Sequence, residues 1–304
     1  MERKVRFIGA AMGWGASNSG CEDGAVAVQK TSLIDDLRAM GIRARWENTL
    51  FAHSSARSKP KTLAQTLPLV HEFDERLSDQ VRHVIRHDAF PVVIGGDHST
   101  AVATWSGTVK ALEAQQRFGL IWFDAHMDAH TPETAKEGKW GGLYHGQPLA
   151  CLLGSGEKEL LNIAGDSIKL SPEHVCLIGI RSFEPGEQKF LEELGVRIYY
   201  MEEVHRRGFE TVFKEAQQIV QNGTAGYGLT IDMDGFDGAD APGVGTVESD
   251  GVLACDALPV FKGLAQDLRF KALEITEFNP HRDVEDKTKK LVQNIIKTIF
   301  IKDV

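Results

Sequence analysis

An α/β fold built on a mostly parallel sheet is what this sequence predicts, and three observations carry the expectation. Eight short apolar runs recur along the chain, segments of helical period separate many of them, and several runs end on aspartate or histidine. Apolar runs of this length suit strands buried on both faces, and intervening helices supply the crossovers that parallel strands require. In order, the strand candidates are Val5–Gly9, Arg43–Glu47, Val92–Ile94, Gly119–Phe123, Cys176–Ile180, Arg197–Tyr200, Gly228–Ile231 and Ala272–Thr276. The amphipathic segments are Ala25–Met40, stopped by Gly41, then Leu69–Arg86, Ser99–Gln116, Thr211–Gln221 before Asn222-Gly223, and Asp256–Gln266. A last helix, Asp286–Ile301, carries Leu291, Ile295, Ile296 and Ile299 on one stripe. Periodicity leaves open whether the strands form an open sheet or close into a barrel; both put functional residues at the carboxyl ends of strands. No repeat, low-complexity tract or linker divides the sequence, so residues 1–304 read as one domain. The long segments Leu50–Thr66, Ala125–His145 and Met233–Ala254 read as walls of an active site.

Composition narrows the function. A net charge of −9 argues against nucleic acid or an anionic membrane as partner, and no apolar run approaches the roughly 20 residues of a membrane span. Met1–Lys4 followed by Phe7–Gly13 faintly resembles a signal peptide, but the apolar stretch is short and glycine-broken and makes a better first strand. Cys21, Cys151, Cys176 and Cys255 show no metal-binding or redox spacing, which points to reduced thiols and a cytoplasmic location.

Three strand ends carry the chemistry. Asp124-Ala125-His126-Met127-Asp128 follows the apolar run Leu120–Phe123, and Asp232-Met233-Asp234 follows Gly228–Ile231. With a period of two, Asp124, His126 and Asp128 can converge, as can Asp232 and Asp234. The run Pro91–Ile94 with its Gly95-Gly96 turn delivers His98 to a similar place. Each aspartate could simply cap the segment after it. Clustered at the mouth of an apolar sheet, however, unpaired carboxylates cost several kcal/mol, so a cation is expected. Oxygen donors with a minority of imidazole suit Mn²⁺ best, with Co²⁺, Ni²⁺, Fe²⁺ or Zn²⁺ possible. Four carboxylates balance two divalent ions, and metals about 3.5–4 Å apart are a common hydrolytic arrangement. Glu277, just past the strand Ala272–Thr276, brings a further carboxylate to the same sheet edge.

Gly95–Ser99, Asp124–Asp128 and Ile231–Asp237 resemble the three metal motifs of the ureohydrolase family, which contains arginase, agmatinase and formimidoylglutamase. Thr131–Thr134, His145–Pro148, Ile180-Arg181 with Glu184–Glu187, Val244–Thr246, and Glu274 with Glu277–Pro280 are similar to the arginase branch in particular. The likeness spans essentially the whole chain. It implies an open three-layer αβα sandwich with an eight-stranded, mostly parallel sheet, and a homo-oligomer, trimer or hexamer. It also implies His98, Asp124, His126, Asp128, Asp232 and Asp234 as ligands of two Mn²⁺ ions bridged by a hydroxide. Asp128 would bridge the metals and orient that hydroxide, and His145 would shuttle protons. Glu184 and Glu187 match the residues that hold the α-amino group, and Thr246 matches a threonine near the guanidinium. His130 stands where arginases usually carry asparagine, and the loop 137–144 is expanded. Glu137 there would repel a substrate carboxylate, whereas His130 or Lys139 would attract one.

The expected activity is hydrolysis of L-arginine to L-ornithine and urea. An agmatinase-like or other guanidino or amidino hydrolase is the alternative within the enzyme class. A metal-containing binding or regulatory protein without turnover is the alternative outside it; Asp128, His145 and Glu277 together speak against that. Arg181 is given no chemistry, and Trp122 and Phe123 read as core.

Overall fold

The computed structural model describes residues 3–52, 62–115, 117–137, 143–165 and 168–302. Among them, eight strands form one sheet: β1 (Lys4–Ala11), β2 (Arg43–Phe51), β3 (Ala89–Ile94), β4 (Phe118–Phe123), β5 (Val175–Ile180), β6 (Arg197–Tyr200), β7 (Gly226–Asp232) and β8 (Phe270–Thr276). Every predicted strand is present, and every pairing is parallel. The order is β2-β1-β3-β8-β7-β4-β5-β6, with β2 and β6 at free edges, so the sheet is open and the barrel alternative falls.

Alternation along each strand feeds two helical layers. Phe7, Val92, Ile94, Ile121, Phe123, Leu229 and Ile231 pack with helices Phe209–Gln221, Ala254–Phe261 and Lys287–Phe300 on one face. Ile8 and Val93 pack with Leu63–Arg86 on the other, while Leu120, Trp122 and Leu177 meet Ala101–Ala111 and Pro148–Leu152 there. The result is the αβα sandwich. The segment Lys4–Ala11, with Phe7 and Ile8 buried, is a core strand.

Helix boundaries depart from expectation where side chains compete with the backbone. The expected Ala25–Met40 helix splits into Gly24–Gln29 and Leu33–Ala39. Thr31 Oγ1 donates to Val28 O at 2.7 Å and accepts from Leu33 N at 3.3 Å, which satisfies the backbone in a non-helical turn. The Leu69–Arg86 helix begins earlier, at Leu63, because Thr62 caps it by accepting from Gln65 N; Pro68 is absorbed inside. Ser99–Gln116 shortens to Ala101–Ala111, with Gln116 outside the described residues. Asp256–Gln266 becomes Ala254–Phe261 plus a 3₁₀ turn at Leu264–Gln266.

Chain order explains the placement of the site. From β3 the chain skips two positions to β4, runs outward to β6, then returns to fill the gap with β7 and β8. The four central strands β3, β8, β7 and β4 therefore present their carboxyl ends side by side.

One buried residue works against this fold. Asp74, on Leu63–Arg86, is fully buried and neither carboxyl oxygen has a hydrogen-bond partner among the described residues. Burial, with Asp97, Glu274 and Glu75 adding to it, pushes this carboxyl well above its ordinary range. The folded chain thus keeps a proton that the unfolded chain loses above about pH 4, so Asp74 lowers stability as pH rises through that window. Asp74→Asn should stabilise the protein by about 1 kcal/mol or more at neutral pH. The gain should be larger at pH 8 than at pH 5 in denaturant titrations; equal gains at both would disprove the ionisation cost.

Candidate metal centre

His98 arrives from the end of β3. Gly95 N donates to Ile275 O of β8 at 2.7 Å, and a Cβ on Gly96 would lie 1.7 Å from Met12 O, so the turn passes too close to the β1 end for a side chain. Asp97 caps the turn by accepting from Gly15 N at 2.8 Å and Ser99 N at 3.0 Å. His98 follows, with Nδ1 lying 2.9 Å from Asp128 Oδ2, 3.0 Å from Asp232 Oδ2 and 3.2 Å from Asp124 Oδ2. His126 Nδ1 lies 3.3 Å from Asp234 Oδ2 and 3.5 Å from Asp124 Oδ1.

These six residues form two groups able to hold metal: His98, Asp124, Asp128 and Asp232, and Asp124, His126 and Asp234. Asp124 belongs to both, one oxygen toward each. Asp128 stands in the His98 group, with Oδ2 2.9 Å from His98 Nδ1. Its φ of 49° is a left-handed backbone that ordinary residues avoid, as is the 61° of Glu277; such strain clusters at functional sites.

Electrostatics agree. Even with both imidazoles protonated, four carboxylates leave negative charge in excess. Burial and the Asp124 charge push Asp128 up to about 7, with His98 pulling the other way. Burial, Asp234 and Asp124 push Asp232 well above the ordinary range. Burial alone would raise Asp124, but His126 and His98 hold it far below. His98 Nδ1 is buried without a hydrogen bond although three carboxylate oxygens surround it. Lone pairs converging on one point fit a divalent cation, and the set of oxygens with two imidazoles fits a hard or borderline metal.

Above the cluster opens a cleft of about 810 Å³ including its mouth, lined by His145, Thr246, Glu277, His130, Glu184 and Glu187 among others. Glu277 Oε1 accepts from His98 N at 2.9 Å and Oε2 from the Cys21 thiol at 3.1 Å; His145 Nδ1 is 3.3 Å from Oε1. Burial would raise Glu277, but His145 outweighs it and holds the carboxyl below its ordinary value. Burial would likewise lower His145, and Glu277 holds it up. On the outer wall, His130 Nε2 lies 3.0 Å from Glu184 Oε2 and 3.7 Å from Glu187 Oε1. Glu187 also closes a capping box on helix Pro185–Leu194, accepting from Glu184 N at 2.8 Å and Ala129 N at 3.3 Å. Glu184 closes the same box in return, its side chain accepting from the Glu187 backbone N–H, so both glutamates serve the backbone. The side chain of Glu137, and Lys139 entirely, lie outside the described residues. Segments Ala125–His145 and Met233–Ala254 contribute to the cleft as expected, whereas no described residue of Leu50–Thr66 lines it.

Four residues to which the sequence assigned no supporting role back the cluster. Trp122, read as core, stacks on the His98 ring (centroids 4.3 Å, planes 18° apart) and donates to Asp124 Oδ2 at 2.9 Å. Arg181 donates to the carbonyls of Asp234 at 2.7 Å, Ser249 at 2.8 Å and Glu248 at 3.1 Å, stapling the loop after β7 to the end of β5. Thr230 and Glu274 lie behind His98. A buried Trp N–H demands a partner, and for Trp122 that was the available signal.

Fold and site define a class. The solved structure of arginase from Bacillus caldovelox superposes with a TM-score of 0.91 at 34% identity, covering 99% of each chain. That of Bacillus subtilis arginase gives 0.88 at 32%, covering 99% of this chain and 100% of that one. The chain is thus a ureohydrolase, an enzyme class that acts on amidines. The Arginase family profile matches residues 3–301, and the chain belongs to the arginase family. Curated arginases of Bacillus caldovelox and Bacillus subtilis (strain 168) are 35% and 33% identical over 300 residues, with 98% or more of each chain covered.

Proposed function

We propose that the chain hydrolyses the guanidino group of L-arginine to L-ornithine and urea, with two Mn²⁺ ions held by His98, Asp124, His126, Asp128, Asp232 and Asp234. The observation that carries the reading is the pair of buried His/Asp groups sharing Asp124 at the floor of a cleft walled by Glu277 and His145. When bound, such a metal pair supplies a water acidified enough to act as hydroxide near neutral pH.

The chain's own residues supply the rest. Glu277, kept ionised by His145, accepts the N–H fork of a guanidinium and fixes the central carbon over the cluster. Asp128, next to His98 at the cleft floor, can orient the attacking oxygen. Addition of that oxygen to the guanidino carbon is followed by cleavage of the C–N bond to the alkyl amine. The departing nitrogen needs a proton, and His145 is held in a protonation range suited to giving one. Glu184, Glu187, His130 and Thr246 are the proposed contacts to the rest of the substrate. Residues 1–304 are taken as one domain, in keeping with the single sheet. Four free thiols fit a cytoplasmic location, and no described helix is long and apolar enough to cross a membrane. A trimeric or hexameric state rests on family resemblance.

Mn²⁺-loaded protein assayed for urea with L-arginine, agmatine and other guanidino compounds tests the proposal. Urea from L-arginine is expected, with ornithine in equal amount. His145→Asn should keep its metals and lose turnover by about 10²–10⁴-fold. Urea from agmatine alone would replace the substrate and keep the chemistry; urea from no compound would remove the activity.

A further inference from the structure

Glu274 is the least expected residue in the sheet. It sits in β8 with no solvent exposure and no lysine or arginine partner among the described contacts, where a carboxylate is costly. Two hydroxyls solvate it, Thr104 Oγ1 donating at 2.5 Å and Thr230 Oγ1 at 2.9 Å, while Thr100 Oγ1, 3.4 Å away, has Asp97 O nearer at 3.2 Å. Strand register pairs Thr230 of β7 with Glu274 of β8, which sets the two side chains next to each other. Thr230 Oγ1 also lies 3.1 Å from His98 Nε2. A hydroxyl has one proton. With that proton given to Glu274, Thr230 presents a lone pair to His98, so Nε2 carries the ring proton and Nδ1 is left free to ligate. Trp122, stacked on the ring, holds its plane.

His126 has a counterpart arrangement. Its Nδ1 faces Asp124 and Asp234, and its Nε2 lies 3.5 Å from Glu248 Oε1. Arg181 binds the carbonyls of both Asp234 and Glu248, so ligand and backing carboxylate are located by one side chain.

We propose that each imidazole is aimed by a carboxylate behind its ring: Glu274, acting through Thr230, behind His98, and Glu248 behind His126. All three are positioning residues that hold Nδ1 toward the cluster. The inference rests on the metal-centre reading but concerns metal affinity, which is measurable without turnover. Partners behind ligating histidines typically contribute about 10–100-fold in metal affinity.

The test is equilibrium dialysis of metal-free protein against graded Mn²⁺, with elemental analysis, and the Co²⁺ absorption spectrum as a report on ligand geometry. Thr230→Val keeps the shape and removes the hydroxyl; it should weaken one of two binding steps at least about tenfold and alter the Co²⁺ spectrum. Thr230→Ser should restore both. Glu248→Gln should weaken the other step, by less, because Glu248 is partly exposed. If Thr230→Val does not melt cooperatively, Glu274→Gln decides on the same scale. Unchanged affinities and spectra in the folded variants would overturn the positioning roles while leaving the metal centre intact. Wild-type protein that takes up no metal would overturn the centre and this inference together.

Discussion

Asp124→Asn should lower urea production from L-arginine by 10³-fold or more, about 4 kcal/mol of lost transition-state stabilisation. Among the described residues Asp124 alone belongs to both candidate ligand groups, Oδ2 toward His98 at 3.2 Å and Oδ1 toward His126 at 3.5 Å. Asparagine keeps the shape but loses the charge and one acceptor oxygen, so both groups are damaged at once. One amide oxygen also cannot replace the two that accept from His126 N at 2.7 Å and Trp122 Nε1 at 2.9 Å. Asp128→Asn is the informative companion, since Asp128 serves only the His98 group. Elemental analysis should find fewer than two metals per chain in Asp124→Asn, with Asp128→Asn less depleted. An Asp124→Asn protein with full metal content and a tenth of wild-type activity would refute its shared position.

Glu277→Gln should lose turnover on a similar scale, roughly 10³-fold, with metal content unchanged. Glu277 is absent from both ligand groups, yet its carboxylate lines the cleft and accepts from His98 N and Cys21. Glutamine leaves a guanidinium without its counter-charge in a buried setting, where charge-assisted pairs matter most. A second readout follows from His145, which Glu277 holds above its ordinary value. Removing the negative charge lets burial lower the imidazole, so the limb of the residual pH profile that belongs to His145 should move to lower pH. Wild-type kinetics, or an unmoved limb, would take Glu277 out of its anchoring role.

Much of the fold is legible because parallel strands buried on both faces leave short, nearly unbroken apolar runs. Leu120–Phe123 and Gly228–Ile231 could hardly be anything else. The edge position of β2 was also written locally, in the alternation of Arg43, Arg45 and Glu47 with Ala44 and Trp46, a sign of an open sheet that periodicity over the whole chain did not reveal. The break at Thr31 was not legible, since one hydroxyl bonding to Val28 O overrides an otherwise helical pattern. At the site, the six candidate ligand positions stand out because aspartate and histidine are anomalous at the ends of apolar strands. Glu274 appeared only as part of a family motif, and its backing role depends on register with a residue 44 positions away.

The amino-acid order alone determined the eight strands, the alternation with helices and the residue types able to bind a cation, because each follows from local periodicity and local polarity. Tertiary structure alone decided which carboxylate is shared, that Trp122 and Arg181 support the cluster, and that Glu187 is occupied in capping a helix. The physical reason is that these are relations between strand ends. The skip from β3 to β4 and the return through β7 and β8 bring distant segments to 2.9–3.3 Å of one another, and no local pattern encodes distances set by that order.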